Sequence, residues 1–387
     1  MAVRVALALL APLFAPARRA PVEGWSAPRR ILVLKPCCTG DLVFATPLLA
    51  ALKTAYPGSR LTVATSAWCA PVVAHNPHVD AVLDVPATIG PRQLPELARR
   101  LRAEGFDLAV VPDRSALLGL LAWLARVPRR AGLDSDGRGF LYTDRVPVRP
   151  DDYTRHEAAL YAAVGAAVGA PTAATASGQR TEYHPSLVDL AAARATVAAR
   201  GWQSPLWCIH PGGGVNPGGT FTPKRWPPER FAALADSLLR DRGGTVLLLG
   251  GATDADATAA VRAAMHGPAE DLAGEFDFAQ SLGLAHHAAL YVGNDTGMTH
   301  AAHAGGTPTV AIFGPTSAAR YGLWGAGGTM AVGRVPWSPC WRDGALRCTC
   351  GTVWCMEAVS TEAVRAAADR TLVATDATYR GVARGPS

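Results

Sequence analysis

The sequence predicts an α/β protein built from two doubly wound domains that face one another across a cleft. Three observations lead there. Short aliphatic and β-branched runs alternate with amphipathic helical patterns in both halves of the chain. Loops containing glycine follow the strand-like runs at Thr39–Asp41, His210–Gly214 and Gly293–Gly297. With 387 residues the chain also has the length for two domains of ordinary size. Strands alternating with helices in this way form parallel sheets covered on both faces.

In chain order, Ile31–Leu34 reads as a first strand and Lys35–Gly40 as a loop. Asp41–Tyr56 reads as a helix, with Leu42, Ala45, Leu48, Leu49 and Leu52 spaced by three or four, ended by Pro57 and Gly58. Leu61–Ala64, Val82–Val85 and Leu108–Val111 are further strands, the last closed by Pro112 and Asp113. Leu117–Leu124 is an apolar helix, and Gly132–Val148 reads as a loop and strand edge. Ala, Thr, Ser and Gly crowd together at Pro171–Gln179, where a linker is expected, followed by a helix over Tyr183–Arg200. Leu206–Ile209 is then a strand and Pro227–Arg242 an amphipathic helix carrying Phe231, Leu234, Ala235, Leu238 and Leu239 on one face. Thr245–Leu249 is a buried strand that runs into Gly250 and Gly251. Last, Leu290–Val292 and Thr309–Phe313 are strands flanking an Ala-rich helix that opens at Thr296 and Gly297. These patterns divide the chain into an apolar and Pro-rich tail at 1–28, a domain at 29–178, a second at 179–365, and a C-terminal helix and tail at 366–387.

Composition narrows the function. Hydrophobic residues make up 49% of the chain and the formal charge is +6, which suits an acidic small substrate or an anionic surface. No nucleic-acid motif accompanies that charge, so a nucleic-acid partner is not expected. Residues 2–16 are apolar and Arg18 and Arg19 follow them. That run is too short to span a bilayer. It reads as a peripheral, membrane-touching tail rather than a cleaved signal. The eight cysteines do not form a secreted disulfide framework. Four of them, Cys340, Cys348, Cys350 and Cys355, cluster near the C-terminus. They are a candidate tetrahedral zinc site, with buried thiols or a disulfide as the alternatives.

Several chemistries are excluded by absent motifs. No G-x-G-x-x-G opens a helix after the first strand of either half. Gly218–Lys224 is not a P-loop, since Pro223 stands where the second glycine belongs. There is no nucleophile elbow and no H-E-x-x-H zinc pattern. What remains is anion binding at strand ends. The helix opening at Thr296 and Gly297 offers unpaired N–H groups to a phosphate, and Lys224 and Arg225 could clamp a diphosphate. Asp41 is either a first-turn acid of its helix or a carboxylate general base.

Three segments carry a resemblance: Ile31–Pro47 (ILVLKPCCTGDLVFATP), His210–Gly214 with Lys224–Pro227, and Val292–His300 with Phe313–Thr316. In order and spacing they resemble glycosyltransferase family 9, the ADP-heptose:lipopolysaccharide heptosyltransferases, over roughly residues 29–365. The resemblance implies a GT-B architecture, with the acceptor bound by the N-terminal domain and a nucleotide-diphosphate sugar by the C-terminal one. It implies an inverting transfer without metal or other cofactor, onto an anionic glycolipid or glycan at the inner face of the cytoplasmic membrane. Asp41 then matches the family's base, preceded by Gly40, and Lys224 the lysine near the donor phosphates. Gly213, Gly214, Asp295, Thr296, Gly297 and His300 fall in the nucleotide-sugar site, and Asp254 matches the acid that helps hold the ribose. Pro36–Thr39 departs from the family pattern on the acceptor side. Alternatives within and outside the class are a family-9 enzyme for another surface or secondary glycan with a different donor, and a non-catalytic nucleotide-sugar-binding protein on the same fold. A nicotinamide or methyl-transfer enzyme is disfavoured by the missing glycine fingerprint.

Overall fold

A computed structural model describes residues 27–135, 137–149, 154–171, 180–216, 219–342, 345–346 and 353–382. The chain forms two compact units, residues 1–181 and 182–387. The apolar tail at 1–26 lies outside the described residues, as do Cys348 and Cys350 of the cysteine cluster.

In the first unit six strands form one sheet: β1 (Arg30–Leu34), β2 (Arg60–Thr65), β3 (Ala81–Asp84), β4 (Leu108–Val111), β5 (Arg129–Ser135) and β6 (Asp144–Val148). Their order is β3-β2-β1-β4-β5-β6, and every pairing is parallel. The helices are α1 (Thr39–Ala55), α2 (Leu94–Ala103), α3 (Ala116–Leu124) and α4 (Glu157–Ala166). Side chains alternate between the faces of a strand. Leu32, Leu34, Ala109 and Val111 therefore share one core with Leu94, Leu97 and Leu101 of α2 and Leu118 and Leu121 of α3. On α1 and α4, Leu42, Leu48, Leu49, Leu160 and Val164 are buried as well. These two helices approach closely at Gly165, where an added Cβ would lie 2.6 Å from Leu48.

The second unit repeats the plan. Its sheet contains β7 (Leu206–His210), β10 (Thr245–Leu248), β11 (Glu270–Asp271), β12 (Leu290–Asn294), β13 (Thr309–Phe313) and β14 (Gly328–Val332). The order β11-β10-β7-β12-β13-β14 is parallel throughout and has the same winding as the first sheet. Two small hairpins, β8 (Val215–Asn216) with β9 (Gly219–Thr220) and β15 (Trp341–Arg342) with β16 (Ala345–Leu346), stand outside it. Helices α5 (Leu187–Ala199), α6 (Pro228–Arg242), α7 (Ala255–Ala264), α8 (Phe278–His286), α9 (Gly297–Ala304), α10 (Ala318–Tyr321), α11 (Trp354–Glu357) and α12 (Thr361–Val382) complete it. Trp207, Ile209, Val246, Leu248, Val292 and Ile312 pack with Phe231, Leu234 and Leu238 of α6. Val364, Ala367 and Ala368 of α12 join the same core.

Two expectations change. Gly132–Val148 is not a loop and strand edge: it contains most of β5 and all of β6, both paired in parallel. Gly132 interrupts the apolar pattern because the Tyr142 ring lies against it, 2.4 Å from where a Cβ would stand. The helix expected from Tyr183 starts at Leu187 instead. Pro185 disfavours helical backbone at His184, and Ser186 caps the helix by accepting from the Asp189 amide at 2.9 Å.

Candidate active-site residues

In open parallel sheets, ligands bind beyond the carboxyl ends of the strands. In the first unit that end of β1 delivers Lys35, whose side chain is only 4% exposed. Its ammonium donates to Asp113 Oδ2 at 2.7 Å and to Asp41 Oδ2 at 3.2 Å, and stands 5.6 Å from the centre of the Tyr161 ring. Asp41 lies in the first turn of α1, whose N-cap, Cys38, has a φ of 76° and offers no side-chain cap. Asp113 follows β4, and its other oxygen accepts from the Ser115 amide at 2.8 Å. On the neighbouring α4, Glu157 is buried and paired with Arg114 at 3.0 Å.

One ammonium thus faces two carboxylates, and they respond differently. Burial raises the Asp41 carboxyl above the usual range; Lys35 opposes this, while Glu157 and Asp113 add to it. Burial also pushes Asp113 upward, but Lys35 and the Ser115 amide outweigh it and hold that carboxyl low. Burial alone would lower Lys35, yet Asp113 and Asp41 keep it well above its ordinary value. A carboxylate of raised pKa, 30% exposed on its side chain, has the character of a general base.

The second unit gathers its polar residues at the ends of β7, β10 and β12. Lys224 ends a short 3-10 turn, Thr222–Lys224. It donates to Asp295 Oδ2 at 3.0 Å and to the Asp295 carbonyl at 3.2 Å. His300, one turn into α9, donates through Nε2 to Asp295 Oδ1 at 2.9 Å. Burial favours a protonated Asp295, but Lys224, His300 and Thr316 together hold its carboxyl far below the usual range. Thr296 is the N-cap of α9 and accepts from the Thr299 amide, so Gly297 stands at the first position of the helix with its N–H outside the helical ladder.

Asp254 closes the 3-10 turn after β10. Its Oδ2 lies 3.4 Å from His210 Nε2 and accepts from the Gly251 amide at 3.2 Å. Its Oδ1 is buried without a hydrogen-bond partner. Burial pushes Asp254 up, but His210, the Gly251 amide and Arg225 prevail and keep it low. Gly213 sits where any side chain would strike the Phe221 carbonyl, 2.1 Å from an ideal Cβ, and Gly214 has a φ of 82° that suits glycine. Gly40 is the second residue of α1, beside Asp41.

Each unit thus gathers its own expected residues: Gly40 and Asp41 in the first, and Gly213, Gly214, Lys224, Asp254, Asp295, Thr296, Gly297 and His300 in the second. Several partners were not singled out from sequence. Lys35 and Asp113 come together only through the β1–β4 pairing. Asn294 staples the second site, accepting from the Trp226 amide at 3.1 Å and donating to the carbonyls of Pro211 at 2.9 Å and Gly212 at 3.0 Å. Trp341 lies 5.7 Å from Lys224 and meets Phe221 edge-on. Among the described residues no group of three or more His, Cys, Asp or Glu could hold a metal ion. Cys340 and Cys355 are buried.

The chain is similar to known proteins in sequence and fold. The sequence profile of "Glycosyltransferase family 9 (heptosyltransferase)" matches residues 95–346, a span that holds Asp113, Lys224, Asp254 and Asp295 but begins after Asp41. The chain is 30% identical over 296 residues to lipopolysaccharide heptosyltransferase 2 of Salmonella typhimurium strain LT2, covering 74% of this chain and 83% of that protein. Its fold matches the glycosyl transferase family 9 structure from Veillonella parvula with a TM-score of 0.76 at 24% identity, over 89% of this chain and 97% of that one. The E. coli ADP-heptose lipopolysaccharide heptosyltransferase II structure matches with a TM-score of 0.72, also at 24% identity, over 90% and 99%.

Proposed function

The chain belongs to glycosyltransferase family 9, and on that premise we propose that it moves a heptose from ADP-heptose to a lipopolysaccharide-core or related envelope glycan, with inversion and without a metal ion. The observation that carries this reading is the arrangement of Lys224, Asp295 and the start of α9 around one strand end. An ammonium has three N–H donors. Asp295 engages two of those of Lys224 through its carboxylate and its carbonyl. The third is left for a phosphate oxygen, beside the N–H groups at the start of α9. Asp254 Oδ1, which has no hydrogen bond and lies 3.8 Å from the Arg225 guanidinium, is suited to accept a hydrogen bond from a ribose hydroxyl of the same donor.

Chemistry follows from these roles. Asp41 removes the proton from the acceptor hydroxyl as that oxygen bonds to the anomeric carbon. The bond from that carbon to the diphosphate oxygen breaks on the opposite face, inverting the configuration. Negative charge grows on the departing diphosphate, and Lys224 with the amides at Thr296 and Gly297 stabilises it more in the transition state than in the ground state. These groups supply the charge stabilisation that a divalent cation would otherwise give. The acceptor being an anionic glycolipid, the enzyme acts peripherally at the inner face of the cytoplasmic membrane. No helix among the described residues is long and apolar enough to cross a membrane.

A thermal-shift screen with ADP, UDP, GDP and their sugars, run in a chelator, tests the donor site. The reading expects stabilisation by ADP and ADP-heptose, about 2.7 kcal/mol at a hundred times Kd. Stabilisation by UDP or GDP sugars instead would redirect the donor assignment, and stabilisation by no nucleotide would contradict the reading.

A further inference from the structure

The Asp41 carboxylate is not alone with its cation, and the second carboxylate has a shape of its own. Asp113 is fixed at both oxygens: Oδ1 by the Ser115 amide at 2.8 Å and Oδ2 by Lys35 at 2.7 Å. Asp41 has the longer contact to the same ammonium, 3.2 Å, and stands on the first turn of a helix with 30% of its side chain exposed. The ammonium is confined on its remaining side by the Tyr161 ring, and its side chain is almost fully buried. Lys35 therefore cannot move toward Asp41 without stretching a short ion pair to Asp113.

We propose that Asp113 is a positioning residue for the glycosyl-transfer base: by holding the Lys35 ammonium on its own side, it sets how far that cation reaches toward Asp41. The inference rests on the reading of Asp41 as the base. Asp113 acts through Lys35 and is given no contact with substrate.

The other charged and titratable groups about this cluster come from four segments. The β1–α1 loop brings Cys37 and Cys38, whose sulfurs are adjacent, and Cys69 reaches Thr39 from the loop after β2. Arg114 follows Asp113 and pairs with Glu157. Helix α4 adds Glu157 and Tyr161, and His156 caps it while meeting Phe44 of α1 edge-on. Glu157 raises Asp41 more than Asp113 does, but it is held by its own arginine. Asp113 is the carboxylate that shares the Lys35 ammonium with Asp41, so Lys35 and Asp113 are the pair to vary.

Substitutions at these two positions should act in opposite directions. A base works only when deprotonated, so the rate falls as pH drops through its pKa, giving an acid limb. Asp113→Asn removes a neighbouring negative charge and releases Lys35 to Asp41. The base then becomes a weaker proton acceptor, and the acid limb moves to lower pH. Lys35→Met removes the cation that contacts Asp41 and leaves two carboxylates facing each other, so the limb moves to higher pH. Charges at this distance shift a carboxylate by about one to three pH units. Asparagine keeps an oxygen for the Ser115 amide, and so does Asp113→Ser; the two variants remove the charge by different routes, and the one that folds decides.

The experiment is the pH profile of kcat/KM for transfer from ADP-heptose to heptose-deficient lipopolysaccharide, using the full-length wild type, Asp113→Asn, Asp113→Ser, Lys35→Met and Asp41→Asn. Opposite displacement of the acid limb in the Asp113 and Lys35 variants, with donor KM unchanged, is the expected result. A limb that stays in place when the Asp113 charge is removed, or that moves upward, overturns the inference even if Asp41→Asn is inactive. Wild-type turnover in Asp41→Asn would instead defeat the assignment of the base.

Discussion

Asn294 shows how one side chain can hold a site together without touching the chemistry. It is fully buried, and its three hydrogen bonds join the end of β12 to the Pro211–Gly212 segment and to Trp226. Replacing it with alanine leaves two carbonyls and an amide without partners in buried surroundings. Asn294→Ala is expected to lower stability by about 3 kcal/mol and to loosen donor binding, as read by denaturant unfolding and nucleotide titration. Unchanged stability would mean that those groups find other partners. The residue belongs to a legible motif, Gly293–Gly297, but its role was not legible: both segments it joins lie about 70–80 residues earlier in the chain. The same holds for Lys35, whose shorter contact is to Asp113, 78 positions away. Asp41, Lys224 and Asp295 could be singled out because each sits in a local pattern of glycine, acid or base at a strand end. Their partners needed the sheet order.

At the scale of elements, α1 carries a proline in its interior yet continues for 17 residues. Pro47 cannot donate to the Val43 carbonyl. The hydroxyl of Thr46 donates to that carbonyl at 2.7 Å in its place. The loop between β7 and α6 is constrained differently, by close backbone approach at Gly213. A methyl group there would meet the Phe221 carbonyl, and backbone cannot step aside as a flexible side chain can. Gly213→Ala is therefore expected to cost about 1–3 kcal/mol of stability, and to weaken nucleotide binding by displacing the turn that carries Lys224. Thermal unfolding with and without ADP measures both effects, and a variant matching the wild type in both would contradict the account of this loop. Strands such as Leu108–Val111 and Thr309–Phe313 agree with their sequence patterns because each is a short unbroken apolar run. β5 is harder to see, since Arg130 and Gly132 break its run. The polar Arg130 is accommodated by donating to the carbonyls of Leu141 and Val127.

At the scale of the molecule, the two units use the same strand order, and each collects its candidate site residues at the carboxyl ends of its strands. That repetition was legible as alternation of strands and helices, whereas the number of strands was not, because β6, β11 and β14 at the sheet edges are short or half exposed. The proposed division of labour puts the base on the first unit and the leaving-group site on the second. It predicts that the two sets of residues fail in different ways when altered. The most direct measurement compares wild type and Asp41→Asn for heptose transfer from ADP-heptose to heptose-deficient lipopolysaccharide, with donor affinity determined in parallel. The account predicts transfer by the wild type and a loss of about 100- to 10,000-fold in turnover for the variant, at unchanged donor Kd. Near-normal turnover by Asp41→Asn would contradict it.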